Sequence, residues 1–299
     1  MEKQLKAICF GEVLFDVFPD EERIGGAPLN VASRLSSLGI QTELISKVGQ
    51  DEKGRQLLHF LKDNRVGTAC VEADKNFPTG VVNVSLSKRG AATYDIAFPA
   101  AWDKIELQQK QVELVKNAGA FIFGSLACRD EVSRETLFSL LENATYKVLD
   151  INLRPPHYTR ELLLKLLQKA DFIKLNDDEL YEIAEMMGSP YNSLEQNLYF
   201  IAGNTSAEKI CITKGSHGAV LLSKDRFFYN SGFKIKVADT VGAGDSFLAA
   251  LLSKILKGEE EQKALDYACA VGALVASKNG ANPALDMQKV EEFLFGTSS

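Results

Sequence analysis

The sequence lacks the features that would place it in a membrane or on nucleic acid. No apolar run approaches the roughly 20 residues that span a bilayer, and the first residues lack the apolar core of a signal peptide. Lysine and arginine are scattered without a basic run, and the formal net charge is −6. We therefore expect neither nucleic acid nor a membrane as a partner.

Disulfide and metal-binding patterns are also missing. The five cysteines are odd in number and far apart, with no Cys-x-x-Cys pair and no Cys/His metal spacing. Cys9 and Cys211 lie in apolar, strand-like runs and Cys269 in an apolar helical run, where a cysteine is mostly a small buried hydrophobe. We therefore predict a reducing, cytoplasmic location.

The composition is that of an ordinary globular protein, 45% hydrophobic and 25% charged over 299 residues. Apolar strand-like runs alternate with helical patterns over most of the chain. The exception is the region from 68 to 100, where several short strands follow one another without a helix. This predicts a single α/β domain over residues 1–299, in which helices flank a mostly parallel sheet and a small antiparallel sheet is inserted at one edge.

The most specific pattern runs from Val237 to Ala250 and reads VADTVGAGDSFLAA. We predict a strand over 233–237, then a Gly-Ala-Gly turn, then a helix that Asp245 opens and that ends near Leu256. The first turn of a helix has N–H groups without partners and a dipole that favours an anion, so this turn is suited to a phosphate. Asp245 could take a proton from a hydroxyl beside that phosphate. The plainer interpretation is a helix that Asp245 merely caps.

Short matches in this sequence suggest three other functions, but each match lacks a residue that the function requires. The tetrapeptide GDSF around Ser246 is similar to the nucleophile block of Gly-Asp-Ser esterases, but every histidine precedes this serine, whereas that family places its histidine after it. Dinucleotide binding requires a third glycine where Phe247 stands. Gly49 and Gly54 have P-loop spacing, but arginine and glutamine follow where lysine and a hydroxyl residue are required.

Polar residues near the N-terminus indicate a second part of the same site. The first strand ends in glycine and acidic residues, at the edge where α/β sheets bind ligands. Asp16 fits either a turn or a carboxylate that accepts hydrogen bonds from two sugar hydroxyls. A Gly-Gly loop ending at Gly26 follows, and Asn30 falls in the first turn of the next helix.

GGAPLNVA at 25–32 and DTVGAGDS at 239–246 resemble the two signatures of the ribokinase-like (PfkB) carbohydrate kinases, and the Ala-Pro-Leu variant is similar to fructokinases. Five motifs follow the family order over essentially the whole chain. The resemblance implies a ribokinase-like fold with a lid from about 12–25 and 68–100, which closes over the sugar, excludes water and often forms a homodimer. We expect Tyr94 and Phe98 to pack the lid or to touch the sugar.

The resemblance also implies roles for individual residues. Asp245 would be the catalytic base. The backbone amides of the anion hole would come from Gly242, Ala243 and Gly244. The sugar would be held by Asp16, Gly26 and Asn30.

Asp150, Asn152 and Arg154 alternate after an apolar run, and we predict that they share one face of an extended segment over 147–155. Such a face is either a solvated edge or part of a site. A similar Asp-x-Asn-x-Arg-Pro occurs in fructokinases and 2-keto-3-deoxygluconate kinases. By this resemblance, Asn152 and Arg154 would contact the sugar or the transferred phosphate.

Two further strand ends match the nucleotide side of the family. Helix capping alone would explain Asn176 and Glu179, but they match a family motif whose glutamate holds the Mg²⁺ of ATP through water. A plain hairpin would explain the loop with Thr213, Gly215 and Gly218. In the family, that loop wraps the phosphates and ribose of ATP.

The resemblance assigns the last part of the nucleotide site to the C-terminal region. It implies that adenine rests near Asn279. It also implies a potassium site, absent from many members, made by the Asp239 carboxylate and backbone carbonyls around Val241, Val275 and Gly280.

These features predict an ATP-dependent kinase that phosphorylates the primary hydroxyl of a ketohexose, with D-fructose giving fructose 6-phosphate. The enzymatic alternative is a 2-keto-3-deoxygluconate kinase. Its acid substrate would require extra cations near the lid, for which Lys88, Arg89 and Arg129 are candidates. A non-catalytic sugar sensor on the same fold is an alternative of another class, but a sensor has no need of Asp245.

Overall fold

The computed structural model describes residues 5–86 and 92–296. These residues form two sheets. Their strands are β1 (Lys6–Phe10), β2 (Leu14–Val17), β3 (Glu22–Gly25), β4 (Gln41–Gly49), β5 (Gly67–Asp74), β6 (Gly80–Leu86), β7 (Ala92–Ile96), β8 (Ala120–Gly124), β9 (Lys147–Asp150), β10 (Phe172–Asn176), β11 (Lys209–Thr213), β12 (Ala219–Ser223) and β13 (Arg226–Asn230).

The α-helices lie between the strands and after the last one. They are α1 (Ala27–Ser37), α2 (Glu52–Asp63), α3 (Gln109–Lys116), α4 (Glu131–Leu141), α5 (Arg160–Lys169), α6 (Asp177–Met187), α7 (Leu194–Gly203), α8 (Ala243–Ile255), α9 (Glu261–Ala276) and α10 (Met287–Phe295). Within the described ranges, no helix is both long and apolar enough to cross a membrane.

The larger sheet has nine strands in the order β13-β12-β11-β10-β9-β8-β1-β4-β5. Seven neighbouring strands of this order, β11-β10-β9-β8-β1-β4-β5, run parallel to one another. At the β11 edge, β12 pairs antiparallel with β11 and β13 pairs antiparallel with β12. The predicted mostly parallel sheet is therefore confirmed. Because the carboxyl ends of the parallel strands meet at one edge, the polar residues that follow them are brought together there.

Helices cover both faces of this sheet, as β1 shows. Ala7 and Cys9 belong to an apolar core with α1, α8 and α9, whereas Ile8 and Phe10 belong to a second core with α4, α5 and α6. A strand that is buried on both faces reads as a continuous apolar run, which is why these strands were recognisable from sequence. All five cysteines are buried and free.

The smaller sheet has the order β3-β2-β6-β7 and corresponds to the predicted lid, a name that we keep for it. Its β2–β6 pair is parallel and its other two pairs are antiparallel, so the predicted antiparallel sheet is in fact mixed. The predicted boundary at 68 was wrong, because β5 joins the larger sheet beside β4 and the second lid segment begins with β6. Lys88, Arg89 and the side chain of Tyr94 lie outside what the structure describes.

The segment over 233–237 is not the predicted strand but an irregular connection to α8. Its apolar residues alternate because Phe233, Ile235 and Val237 line a cleft described below, and Val237 stays 55% exposed. A spacing of two residues is therefore explained here by a ligand-sized cleft and not by a neighbouring strand.

A buried ion pair joins the lid to the body. The Arg129 guanidinium donates to both carboxylate oxygens of Asp103, at 2.7 and 2.8 Å, and also to the carbonyl oxygens of Ile96 and Ala97 at the end of β7. Its charge lies 4.0 Å from the ring centre of Trp102. The Arg129 guanidinium is therefore occupied by these contacts. The prediction that it could bind an acid substrate was wrong.

We predict that Arg129→Ala lowers the free energy of unfolding by about 3–5 kcal/mol, because the completely buried carboxylate of Asp103 loses its only cationic partner in the described chain and keeps one backbone donor, the Ala100 N–H. Urea denaturation would measure the loss. The control is Lys165→Ala, which removes an exposed helical ion pair with Glu161 and should change the free energy by less than about 0.5 kcal/mol. Equal effects of the two substitutions would contradict the structural role of Arg129.

Candidate active site

The first turn of α8 begins at a glycine that no other residue could replace easily. Gly242 has a φ of 73°, and a Cβ there would stand 2.5 Å from the carbonyl oxygen of Ala281. The N–H of Ala243 already donates to the Thr240 carbonyl at 3.2 Å. The free first-turn N–H groups therefore come from Gly244 and Asp245 and not, as predicted, from Ala243.

Asp245 is held by a chain of two asparagines. Asn30 in the first turns of α1 donates from Nδ2 to Asp245 Oδ2 at 2.8 Å, and its Oδ1 accepts from Asn282 Nδ2 at 2.7 Å. Because a carboxylate only accepts, the first bond fixes which way the Asn30 amide faces, and this in turn orients Asn282. The structure thus brings together Asn30 and Asp245, which are 215 residues apart.

The surroundings of Asp245 make it a stronger base than a solvated carboxylate. Burial raises the pKa of Asp245 to about 6, and the charge of Asp150 acts in the same direction. The hydrogen bond from Asn30 and the charges of Lys174 and Arg154 lower the pKa by less. The group is therefore mostly ionised at neutral pH, with a pKa close to the range in which a general base works well.

A buried lysine lies behind the glycine turn. Lys174 is 6% exposed and donates to Asp150 Oδ1 at 2.9 Å, and a Cβ on Gly244 would stand 3.5 Å from its Nζ. Burial lowers the pKa of Lys174, but the charges of Asp150 and Glu179 outweigh it and raise the pKa, so the ammonium stays charged. The anion site thus has a fixed positive charge beside it.

Glu12 and Asp150 line a small space next to this cluster. The space is also lined by Asn152 and Ser125, and the Oε2 of Glu12 and the Oδ2 of Asp150 are buried without a protein partner. Burial raises the pKa of Glu12 to about 7, with backbone hydrogen bonding and Arg154 opposing it. Asn152 has a φ of 40°, so the predicted extended alternation ends with β9.

The lid places Asp16 against the Gly-Gly loop. A Cβ on Gly26, whose φ is 110°, would stand 2.5 Å from the Glu12 carbonyl oxygen, so this position requires glycine, whereas a Cβ on Gly25 would meet only the Asp16 side chain, 2.5 Å from its Oδ2. Burial raises the pKa of Asp16, whereas the charges of Arg154 and Arg23 lower it. Of the predicted sugar residues, Asn30 thus contacts Asp245 directly and Gly26 lies against the Glu12 backbone, whereas Arg154 is exposed.

An open cleft of about 380 Å³ lies beside the glycine turn. Its lining includes four of the predicted nucleotide residues, namely Asn176, Thr213, Gly215 and Gly218. Ala243 and Gly244 line it too, so the cleft ends at the first turn of α8. Asn279 does not line it; the α9 face with Gly272, Ala273 and Ala276 does.

Comparison with known proteins identifies the family. The model of the pfkB family carbohydrate kinases matches residues 3–287. The chain belongs to this family. It is therefore an ATP-dependent carbohydrate kinase, as its motifs predicted.

Two relatives and one solved structure agree with this. A probable chloroplastic fructokinase-6 of Arabidopsis thaliana and a fructokinase-2 of Zea mays are each 30% identical to the kinase over 93% of its chain, and the matches cover 79% and 90% of those proteins. The structure of a fructokinase with bound ATP from Xylella fastidiosa has a TM-score of 0.86 at 23% identity, with 99% of this chain and 100% of that one covered. This confirms the predicted ribokinase-like fold.

Glu179 is less open to a metal ion than its motif suggests. Its Oε1 accepts from the Leu153 N–H and its Oε2 from the Asn176 N–H, both at 2.9 Å, while Asn176 caps α6 through the Glu179 N–H at 2.7 Å. The residue is 6% exposed. This fits an ion held through water and not a direct ligand. Elsewhere in the described chain, no group of three or more His, Cys, Asp or Glu side chains could hold a metal ion.

The geometry around Asp239 does not fit the predicted potassium site. Backbone N–H groups of Val241 and Gly280, and not their carbonyl oxygens, face this carboxylate, at 3.0 and 3.2 Å. The Val275 carbonyl oxygen accepts from the Lys278 N–H at 3.0 Å. The oxygens that the prediction required are thus already used or turned away.

Two further features separate the kinase from the other functions that were considered. Ser246 has no exposed surface and its Oγ accepts from Arg34 Nε at 3.0 Å, so it is not an esterase nucleophile. The N–H groups of Gly49 and Gly54 donate to Thr79 Oγ1 at 2.9 Å and to Asp51 Oδ1 at 2.8 Å, in a helix cap and not a P-loop.

The sequence reasoning missed three residues of this site, namely Arg34, Lys174 and Asn282, and noted Glu12 only as one of the acidic residues after the first strand. One signal was present for Lys174, because a lysine in the middle of the apolar strand FIKLN, which is buried on both faces, requires a partner. Arg34 and Asn282 carry no comparable signal in one sequence, since their partners are distant in the chain.

We predict that Asp245→Asn makes the kinase more stable at pH 7.5. A carboxyl whose pKa is raised on folding binds a proton more tightly in the folded state. Asp245 therefore adds to the free energy of unfolding at pH values below its unfolded pKa of about 3.9. This addition is lost as the pH rises through the folded pKa of about 6. Asparagine does not ionise, so the variant does not lose this stability at higher pH. The gain should appear in urea denaturation at pH 7.5 and shrink towards pH 4.5.

The control for this measurement is Glu52→Gln, an exposed carboxylate in the first turn of α2. Arg55 lowers the pKa of Glu52, so its removal should give no gain at pH 7.5. A gain for Asp245→Asn that is the same at both pH values, or a loss at pH 7.5, would contradict the raised pKa.

Proposed function

We propose that the kinase transfers the γ-phosphoryl group of ATP to the primary hydroxyl of a ketohexose, and that D-fructose gives fructose 6-phosphate. The observation that supports this is the position of Asp245. Its carboxylate accepts from Asn30, and the residue before it, Gly244, lines the cleft. A hydroxyl on one side and a phosphate on the other would therefore meet at this carboxylate.

In this mechanism, Asp245 takes the proton of the sugar hydroxyl as its oxygen bonds to phosphorus, and the bond from the γ-phosphorus to the bridging oxygen of ADP breaks. Asn30 keeps the carboxylate aimed by its 2.8 Å hydrogen bond. The N–H groups of Gly244 and Asp245, with the nearby Lys174 ammonium, stabilise the charge on the phosphoryl oxygens.

The sugar would lie under the lid against Asp16, Gly26 and Asn30. The close approach of the chain at Gly26 leaves room for hydroxyls beside Asp16, whose carboxylate can accept two of them. The positive charge of Arg154 lowers the pKa of both Asp16 and Asp245. Its guanidinium would therefore be near enough to contact the sugar or the transferred phosphoryl group. Asn152 lines the adjoining space.

The nucleotide would lie in the open cleft, with Thr213 and Gly215 beside its phosphates and ribose and the α9 face beside adenine. Mg²⁺ brought by ATP supplies positive charge to the phosphates. Of this chain's residues, Glu179 would hold it through water, and Asp177 and Asp178, which line the cleft, would add negative charge.

Two observations favour fructose over an acid substrate. Arg129, one of the three candidate cations, is used by Asp103. The two plant relatives are named as fructokinases. A sensor is disfavoured because a buried carboxylate costs stability and sensing does not require it. The lid-mediated dimer and the cytoplasmic location stay predictions.

An ADP-release assay on purified protein tests the substrate. It uses ATP, Mg²⁺ and a panel of fructose, 2-keto-3-deoxygluconate, ribose, tagatose and adenosine. We expect turnover on fructose to exceed every other member. Turnover on the keto acid alone would keep the mechanism and overturn the substrate, whereas tight sugar binding without turnover would indicate a sensor.

We further predict that Asp245→Asn lowers kcat by ~10²–10⁴ and leaves the Kd for the sugar nearly unchanged, because only proton transfer is lost. Calorimetry gives the Kd and the ADP assay gives kcat. The matched control, Glu52→Gln, should keep full kcat. Full turnover by Asp245→Asn would show that another group is the base.

A further inference from the structure

Three N–H donors converge on the carboxylate of Asp239. Arg23 on lid strand β3 donates from Nη1 to Oδ2 at 2.9 Å, and the Gly280 N–H donates to the same oxygen at 3.2 Å. The Val241 N–H donates to Oδ1 at 3.0 Å. Asp239 is thus neutralised by a charge that comes from the lid and not from its own loop.

The backbone carbonyl oxygens of Val275 and Ala276 already accept hydrogen bonds from backbone N–H groups. The Ala276 carbonyl accepts from the N–H groups of Ala238 and Asp239, at 2.9 and 3.3 Å. Val275 accepts from Lys278. A monovalent cation requires a shell of oxygens, whereas the positive ends of backbone dipoles surround this carboxylate. The guanidinium therefore takes the place that the predicted potassium ion would have held.

Arg23 connects the proposed sugar side of the active site with the proposed phosphate side. In the lid it stands directly opposite Asp16, the predicted sugar ligand, in the β2–β3 register. Its other contacts, an ion pair with Glu21 and the ring of Phe18, hold it on the lid. On the body, its partner Asp239 fixes the Val241 N–H, one residue before the turn at Gly242.

We propose that Arg23 is a positioning residue: it carries positive charge from the lid to Asp239, orders the segment 239–244 for the transferred phosphoryl group, and makes turnover independent of potassium. The proposal rests on the proposed function. Because Arg23 belongs to the lid and Asp239 stands just before the glycine turn, a lid that moved away would leave Asp239 with only its two backbone donors.

The test compares Arg23→Gln with Lys53→Gln. Lys53 on α2 pairs with Glu22, the neighbour of Arg23 on β3, so it also ties the lid to the body but does not touch Asp239. With the best sugar of the panel, we expect kcat to fall about tenfold in Arg23→Gln and to stay within about twofold in Lys53→Gln. Equal losses would mean that Arg23 only attaches the lid, and normal kcat in Arg23→Gln would also overturn the proposal.

A second measurement needs no turnover. Hydrogen exchange followed by mass spectrometry should show roughly tenfold faster exchange over 239–244 in Arg23→Gln but not in Lys53→Gln. Unchanged exchange in Arg23→Gln would contradict the ordering role. If no sugar of the panel is turned over, this result still decides the role of Arg23, so failure of the proposed function and of this inference are distinguishable.

Potassium is tested on the unaltered kinase. Melting temperature and kcat are compared in KCl and in choline chloride at the same ionic strength. We expect both values to be equal in the two salts. A higher melting temperature or a severalfold higher kcat in KCl would show that a potassium site exists and would overturn the proposal.

Discussion

The active site depends on one hydrogen bond, from Asn30 Nδ2 to the carboxylate of Asp245. A carboxylate that is withdrawn from water loses hydration, and it stays charged only where donors and cations replace that hydration. Asn30, Lys174 and Arg154 do so in part, and the pKa settles near 6. The same bond joins α1, on the proposed sugar side, to α8, on the proposed phosphate side.

The rest of the fold holds these two helices in place. Arg34, 3% exposed on α1, donates from Nε to Ser246 on α8 at 3.0 Å and from Nη2 to the Pro283 carbonyl at 2.9 Å. One buried guanidinium thus binds α1, α8 and the loop that carries Asn282. Because a planar guanidinium fixes its donors rigidly, it fits this junction better than a lysine would.

Much of this arrangement could be predicted from the sequence, because the relevant signals are local. Strands that are buried on both faces read as apolar runs, and the Gly-Ala-Gly turn requires Gly242 because of its positive φ. The misplaced features depend on distant partners. Residues 68–74 read as a lid strand until β4 is seen beside them, and 233–237 read as a strand although a cleft explains its alternation. The chain alone did not reveal that Arg23 faces Asp239, 216 residues away.

The central claim is that the half-buried Asp245 accepts the proton of the sugar hydroxyl. The pH dependence of kcat/KM for the preferred sugar, measured at saturating Mg²⁺ and ATP, tests it most directly. The account predicts a plateau above about pH 6 and a tenfold fall for each pH unit below it, as Asp245 becomes protonated. A value of kcat/KM that stays constant from pH 8 to pH 5 would contradict it.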